Sequence, residues 1–199
     1  MYLQNTARDK GLADANRAIG TRLDQPVSID LLTGVFSRHF LCELATARFS
    51  EARRHGYYAS VVVLEVDRFA ELLGNEGQRA ADEVLVNVAE LLRACIRRED
   101  MVARFDDARF VVLMMHCDSE NAMAKAEALR CAISDLEPAG IPVTASAGVA
   151  SASVRGTVDL DALLEPATRA LAEAQTHTGN AVVLGRIAPP SQTAVPAVS

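Results

Sequence analysis

Residues 101–115 read MVARFDDARFVVLMM, two apolar runs, Met101 to Phe105 and Arg109 to Met115, divided only by Asp106, Asp107 and Ala108. Two strands joined by so short a loop make a β-hairpin. Ahead of it stands a helical pattern, Ala81, Val84, Leu85, Val88, Leu91, Leu92 and Cys95, whose spacing lines one face, with a start expected near Asp82. Before that, residues 57–66 read YYASVVVLEV, valine-rich and nearly all apolar, as a strand buried on both faces should be. After the hairpin, Ser119 suits an N-cap for a helix running to about Leu136, and Pro142 to Ala150 reads as a strand.

The middle of the chain therefore runs strand, helix, strand, strand, helix, strand. That is the split βαβ, ferredoxin-like order, which packs its two helices on one face of a mainly antiparallel sheet. Further elements flank it. Phe36, Phe40, Leu44 and Ala47 recur at helical spacing up to a stop at Gly56, Leu160 to Gln175 reads as a helix, and Ala181 to Leu184 as a short last strand. The expected class is α+β, ferredoxin-like, with a central, mainly antiparallel sheet and surrounding helices. Residues 1–27 predict a lead-in helix with a face suited to dimerisation, residues 28–187 the folded domain, and residues 188–199, holding Pro189, Pro190 and Pro196, a flexible tail.

Composition narrows the function. The chain has 199 residues, half of them apolar, with 20 basic against 26 acidic side chains and a formal charge of −6. An acidic pI near 5.2 gives no general attraction to phosphate backbones, so duplex DNA or bulk RNA is not an expected partner. The longest unbroken apolar stretch, Phe110 to Met115, is far short of the roughly 20 residues a membrane helix needs. Without a signal-peptide pattern the expected compartment is the cytoplasm. Cys42, Cys95, Cys117 and Cys131 form no C-x-x-C pair and sit in or beside apolar runs, so all four are expected to be small buried hydrophobes, and neither zinc nor a disulfide framework is expected.

Local motifs then become specific. Asp30-Leu31-Leu32-Thr33-Gly34-Val35-Phe36-Ser37-Arg38 resembles the D-x-L-T-G-L-x-N-R opening of the GGDEF family, the diguanylate cyclases. Leu64-Glu65-Val66-Asp67-Arg68-Phe69 is similar to its D-x-D-x-F strand, Asp82-Glu83-Val84-Leu85 to its G-D-x-V-L helix, Ser146-Ala147-Gly148-Val149-Ala150 to its S-x-G-V-A strand, and Ala170-Leu171 with Asn180 to its closing motif. The resemblance spans about residues 28 to 185 and implies the family's fold, a nucleotide-cyclase palm with a central, mainly antiparallel sheet and surrounding helices, which agrees with the element order above. It implies a domain that, when active, holds GTP with divalent metal and condenses two molecules into cyclic di-GMP across a head-to-head dimer. That chemistry needs carboxylates on metal, cations on the triphosphate and glycines that let the hairpin backbone come close.

Those requirements fail here. Where the family has R-x-G-G-D-E-F, the chain reads Arg104-Phe105-Asp106-Asp107-Ala108-Arg109-Phe110: two glycines are aspartates, the metal-binding acid is Ala108 and its neighbour Arg109. Aspartate tolerates positive φ better than most residues, so the tight turn is expected to survive, with two carboxylates set against a triphosphate. The metal-ligating aspartate of the first strand is Glu65, while Asp67 matches the second acid. The lysine after the phenylalanine is Ala70, the guanine-reading asparagine falls at Leu73, and the late phosphate cations fall at Gln175 and Gly179, although Asp82 is kept. Glu65, Asp67, Asp106 and Asp107 could gather as a cluster for a hard cation, but turn aspartates are ordinarily solvated. No catalytic residues, cofactor or metal are expected.

Arg97 and Asp100, in Arg97-Arg98-Glu99-Asp100, resemble the R-x-x-D inhibitory site at which family members bind cyclic di-GMP, and Arg104 follows at the family's spacing. A guanidinium forks to guanine O6 and N7 or to phosphate, and a carboxylate accepts from guanine N1 and N2. The competing reading is structural: Arg97 and Arg98 end a helix, where cations suit the macrodipole, and Asp100 fixes the turn into the next strand. A second arginine that some members supply from the next helix is Ala128 here. The expected function is a non-catalytic domain that binds cyclic di-GMP through Arg97 and Asp100; the alternative is a nucleotide-free module that pairs with itself or with another signalling protein.

Overall fold

Tyr58–Val66 forms the central strand, β2, and its alternation explains why nearly every residue in it is apolar. Val62, Leu64 and Val66 enter the core on one side of the sheet, Ala59, Val61 and Val63 the core on the other. The structure, a computed structural model, describes residues 28–155, 158–177 and 179–187. The expected lead-in helix and tail lie outside the described residues.

Around β2 run β1 (Phe36–Ser37), α1 (Arg38–His55), α2 (Phe69–Cys95), β3 (Met101–Arg104), β4 (Arg109–Met115), α3 (Ser119–Ser134), β5 (Ala145–Ser153), α4 (Leu160–His177) and β6 (Val182–Leu184). The sheet order is β1-β3-β4-β2-β5-β6. Its β2–β4, β3–β4 and β2–β5 pairs are antiparallel, and the outer pairs β1–β3 and β5–β6 parallel. With β4 between β2 and β3, the unit is the expected split βαβ, an α+β fold. Helices α2 and α3 cover one face, through Val84, Leu85, Val88 and Leu92 and through Ala126, Leu129 and Ile133. The flanking helices α1 and α4 cover the other, through Leu41 and Phe49 and through Leu163 and Leu171.

Three of the helix readings are corrected in phase or extent. Helix α1 begins only at Arg38, capped by the Ser37 side chain on Phe40 N–H, because Phe36 is taken by β1 opposite Ala103. Its buried stripe is Leu41, Ala45, Phe49 and Ala52, one step round from the expected Phe36, Phe40, Leu44 and Ala47. Helix α2 starts at Phe69, well before Asp82, and is broken at Gly77 (φ 81°, ψ 174°), a conformation glycine adopts without steric cost. The cap of α3 is Asp118, whose carboxylate accepts from Asn121 N–H, with Ser119 already helical.

Strand β5 runs to Ser153 because β2 offers partners as far as Tyr58, and it starts at Ala145, past Pro142, which has no N–H to give a ladder. Cys117 is buried, but Cys95 and Cys131 are exposed on the outer sides of α2 and α3, against expectation. Their helices turn smaller or longer apolar residues inward, which periodicity alone ranks equally with cysteine. Among the described residues no helix is long and apolar enough to cross a membrane.

Candidate functional site

The hairpin end of the sheet is held from below by Asp30. Its carboxylate accepts from Thr33 N–H (2.9 Å), Thr33 Oγ1 (2.6 Å) and Arg104 Nη1 (3.3 Å), and Arg104 Nη2 donates to Asp107 O (2.7 Å). Burial pushes the Asp30 carboxyl up, but the Thr33 hydrogen bonds and the Arg104 charge outweigh it and hold it below its ordinary value. The opening motif and the hairpin arginine are thus one structural unit. The turn itself closes with Phe105 N–H on Arg109 O (2.8 Å), and neither Asp106 nor Asp107 adopts positive φ. The two aspartates are accommodated because the turn makes no left-handed demand on them, not because they tolerate one.

Glu65 and Arg109 face each other across β2 and β4. Arg109 Nε and Nη2 both donate to Glu65 Oε2, at 2.8 and 2.6 Å, and Arg109 Nη1 reaches Asp106 at 3.4 Å. Gln175 of α4 donates to the other oxygen, Oε1, at 3.2 Å. Three positions at which the family would place a metal ligand, an acid and a phosphate-binding lysine have therefore become one internally neutral network. Charge-assisted bonds of this kind leave the carboxylate little capacity for a cation. Ala108, 7 % exposed, offers no side-chain oxygen. The donor set does not fit a divalent metal, and among the described residues no three of His, Cys, Asp or Glu are placed to hold one.

Asp67 is turned to another task. It accepts from Thr144 Oγ1 (2.7 Å), Ser146 Oγ (2.7 Å) and Asn180 N–H (2.8 Å), tying the end of β2 to β5 and to the loop after α4. Gly179, at φ +71°, fits under it: a Cβ there would stand 2.8 Å from the Asp67 carboxyl. Asp82 accepts from Gln78 Nε2 (2.7 Å) one turn earlier on α2, and Leu73 is exposed.

At the far end of α2 the chain turns into β3. Arg97 N–H donates to Asp100 Oδ2 (3.1 Å) and Asp100 N–H to Arg97 O (3.1 Å), so Asp100 does fix the turn. Only 8 % exposed, its carboxyl is pushed up by burial, a rise that the Arg97 N–H bond offsets in part. The Arg97 side chain is exposed, and with Asp100 it lines an open cavity of about 280 Å³ whose other walls are Met114, Cys117, Asn121, Ala124, Lys125 and Ala128. Sequence reasoning missed Lys125. It stands one helical turn before Ala128, the position lacking the second arginine, and its Nζ donates to Cys95 O (2.9 Å), at the end of α2. A search of neighbouring turns, rather than of one position, would have found it.

A model of the diguanylate cyclase GGDEF domain matches residues 27–181, and the chain belongs to this family. It is 27 % identical over 161 residues to the diguanylate cyclase DosC of Escherichia coli K12, covering 79 % of this chain and 35 % of DosC. The chain thus spans about a third of that relative. The GGDEF domain of DgcB from Caulobacter crescentus, solved in complex with c-di-GMP, superposes with a TM-score of 0.73 at 20 % identity, covering 80 % of this chain and 94 % of that one. SiaD of Pseudomonas aeruginosa, a diguanylate cyclase solved in complex with its activator SiaC, gives 0.75 at 25 % identity, covering 92 % and 72 %.

Proposed function

We propose that this GGDEF domain has lost synthesis and serves as a receptor for cyclic di-GMP, bound through Arg97 and Asp100. The observation that carries the reading is a contrast between two ends of the sheet. At the hairpin, Glu65, Arg109 and Gln175 are engaged with one another, so the positions matching a metal ligand and a phosphate-binding lysine hold each other and not a metal triphosphate. At the end of α2, an exposed guanidinium, a largely buried carboxylate and the Lys125 ammonium border one cavity. Arginine and aspartate offer guanine complementary donors and acceptors, and lysine offers a point charge to phosphate. The DgcB domain solved with c-di-GMP supports the ligand class.

Calorimetric titration of cyclic di-GMP into the purified domain tests the reading, with Arg97→Ala as control. Micromolar binding lost in the variant is expected. No heat at about 100 μM ligand, a concentration at which even weak complexes form, overturns it. Incubation with GTP and magnesium should yield no product; cyclic di-GMP that disappears in Glu65→Ala would overturn the loss of synthesis. A second reading, a protein-interaction module, is favoured by Leu31, 89 % exposed beside exposed Ile29 and Leu32, and by SiaD's complex with an activator. It becomes the working reading if neither nucleotide binds.

A further inference from the structure

Arg97 and Asp100 border a second cavity on their other side. It measures about 520 Å³ and runs between the segment 29–36 and the end of α2, with Arg93 and Arg98 on its rim and Ile29, Phe36, Ile96 and Val102 among its apolar walls. We propose that the bound cyclic dinucleotide lies across Arg97, one half in each cavity, and that Arg93 and Arg98 hold the half facing away from Lys125. This deepens, and rests on, the receptor reading above.

Size argues for it first. The Lys125 cavity, at about 280 Å³, lies below the roughly 300–1,000 Å³ of pockets that enclose a drug-sized ligand, so it has room for one half of a dinucleotide better than for the whole. The larger cavity begins where the smaller ends, at the same two residues. Charge argues in the same direction. Arg93, Arg97 and Arg98 are all exposed, and none forms a salt bridge or donates a side-chain hydrogen bond among the described residues. Among the residues lining the two cavities they set, with Lys125, four cations against one carboxylate, Asp100, with Glu99 close enough to act on it, in a chain whose net charge is −6. A local reversal of sign of this kind concentrates a dianion where the rest of the surface repels it.

The chemistry of the walls suits the parts of the ligand. Arg93 lies over Gly34, its Nη1 3.7 Å from where a Cβ would stand, so its guanidinium reaches from α2 to the 29–36 segment on the far wall of the cavity. A guanidinium so placed forks to phosphate or to guanine O6 and N7, while the Phe36 side of the groove offers an apolar surface to a purine face. On the near side, Ala124 and Ala128 leave space that larger side chains would fill, and Lys125 supplies the charge.

Titrations of cyclic di-GMP into the wild-type domain, Lys125→Ala, Arg93→Ala/Arg98→Ala and Arg53→Ala/Arg54→Ala separate the cases. The last variant removes the same charge from α1, away from both cavities. Expected is an affinity loss of about tenfold or more in the Arg93/Arg98 variant, the scale of one bidentate contact. The Arg53/Arg54 variant should change less than about threefold, and unaltered urea midpoints should show that all variants are folded. Wild-type binding that persists in Arg93→Ala/Arg98→Ala within about threefold overturns the straddling geometry and leaves the receptor reading standing. Equal losses in both double variants overturn it too, since bulk charge then explains the effect. Absence of binding to the wild type overturns the receptor reading and this inference with it.

Discussion

Arg109 donates through Nε and Nη2 to a single oxygen of Glu65, its Cα partner across β2 and β4, and Gln175 occupies the other oxygen. The pair is partly exposed, which limits its worth, but the two bonds fix the guanidinium. A double-mutant cycle by urea unfolding should give Arg109→Ala a cost of about 1 kcal/mol and a favourable Glu65–Arg109 coupling of similar size. Coupling within error of zero would show that the network is incidental to the fold.

The raised Asp100 carboxyl has a sign that can be read in stability. An acid whose folded pKa lies above its unfolded one contributes stability that is fully present below the unfolded pKa and is lost as pH rises through the folded one. Asp100→Asn does not titrate, so its urea midpoint should gain on the wild type as pH rises across that window. A constant difference between the two proteins would show that Asp100 is not raised. Under the receptor reading, cyclic di-GMP affinity should run the opposite way, weakening as pH falls and the carboxylate that accepts from guanine is protonated.

Asp67 is expected to matter for folding rather than for chemistry. Asp67→Ala strips the acceptor from Thr144, from Asn180 N–H and from Ser146, whose side chain is fully buried. A buried donor left without a partner costs about 1–3 kcal/mol, so the total should be about 2–4 kcal/mol by denaturation. Asp67→Asn, which keeps one acceptor oxygen, should lose about half as much.

Gly148 in β5 leaves no room for a methyl group. A Cβ there would stand 1.9 Å from Ala167 O and 2.3 Å from Leu171 N, both backbone atoms of α4. Gly148→Ala should cost about 3 kcal/mol or more, or give no folded protein. Gly74→Ala, in α2 with nothing within 4 Å of the added Cβ, should instead raise the unfolding free energy, by about 0.4–1 kcal/mol. Equal effects of the two substitutions would contradict the close approach of α4.

Helices, strands and their order were legible along the chain because each is written in spacing that repeats within a few residues. The valines of 57–66 announce burial on both faces, and Gly56 ends a helix in the left-handed conformation it alone adopts without steric cost. The R-x-x-D and hairpin motifs were legible for the same reason, being contiguous. Phase was less so: which stripe of α1 faces the sheet depended on β1 claiming Phe36, a pairing with Ala103 sixty-seven positions on. The chemistry at each end of the sheet was decided only by tertiary structure. That Arg109 neutralises Glu65, that Gln175 joins them from α4, and that Lys125 comes beside Arg97 are consequences of strand register and helix packing between distant segments. The amino-acid sequence names such residues singly; an electrostatic interaction depends on the distance between two of them, and only the folded chain sets that distance.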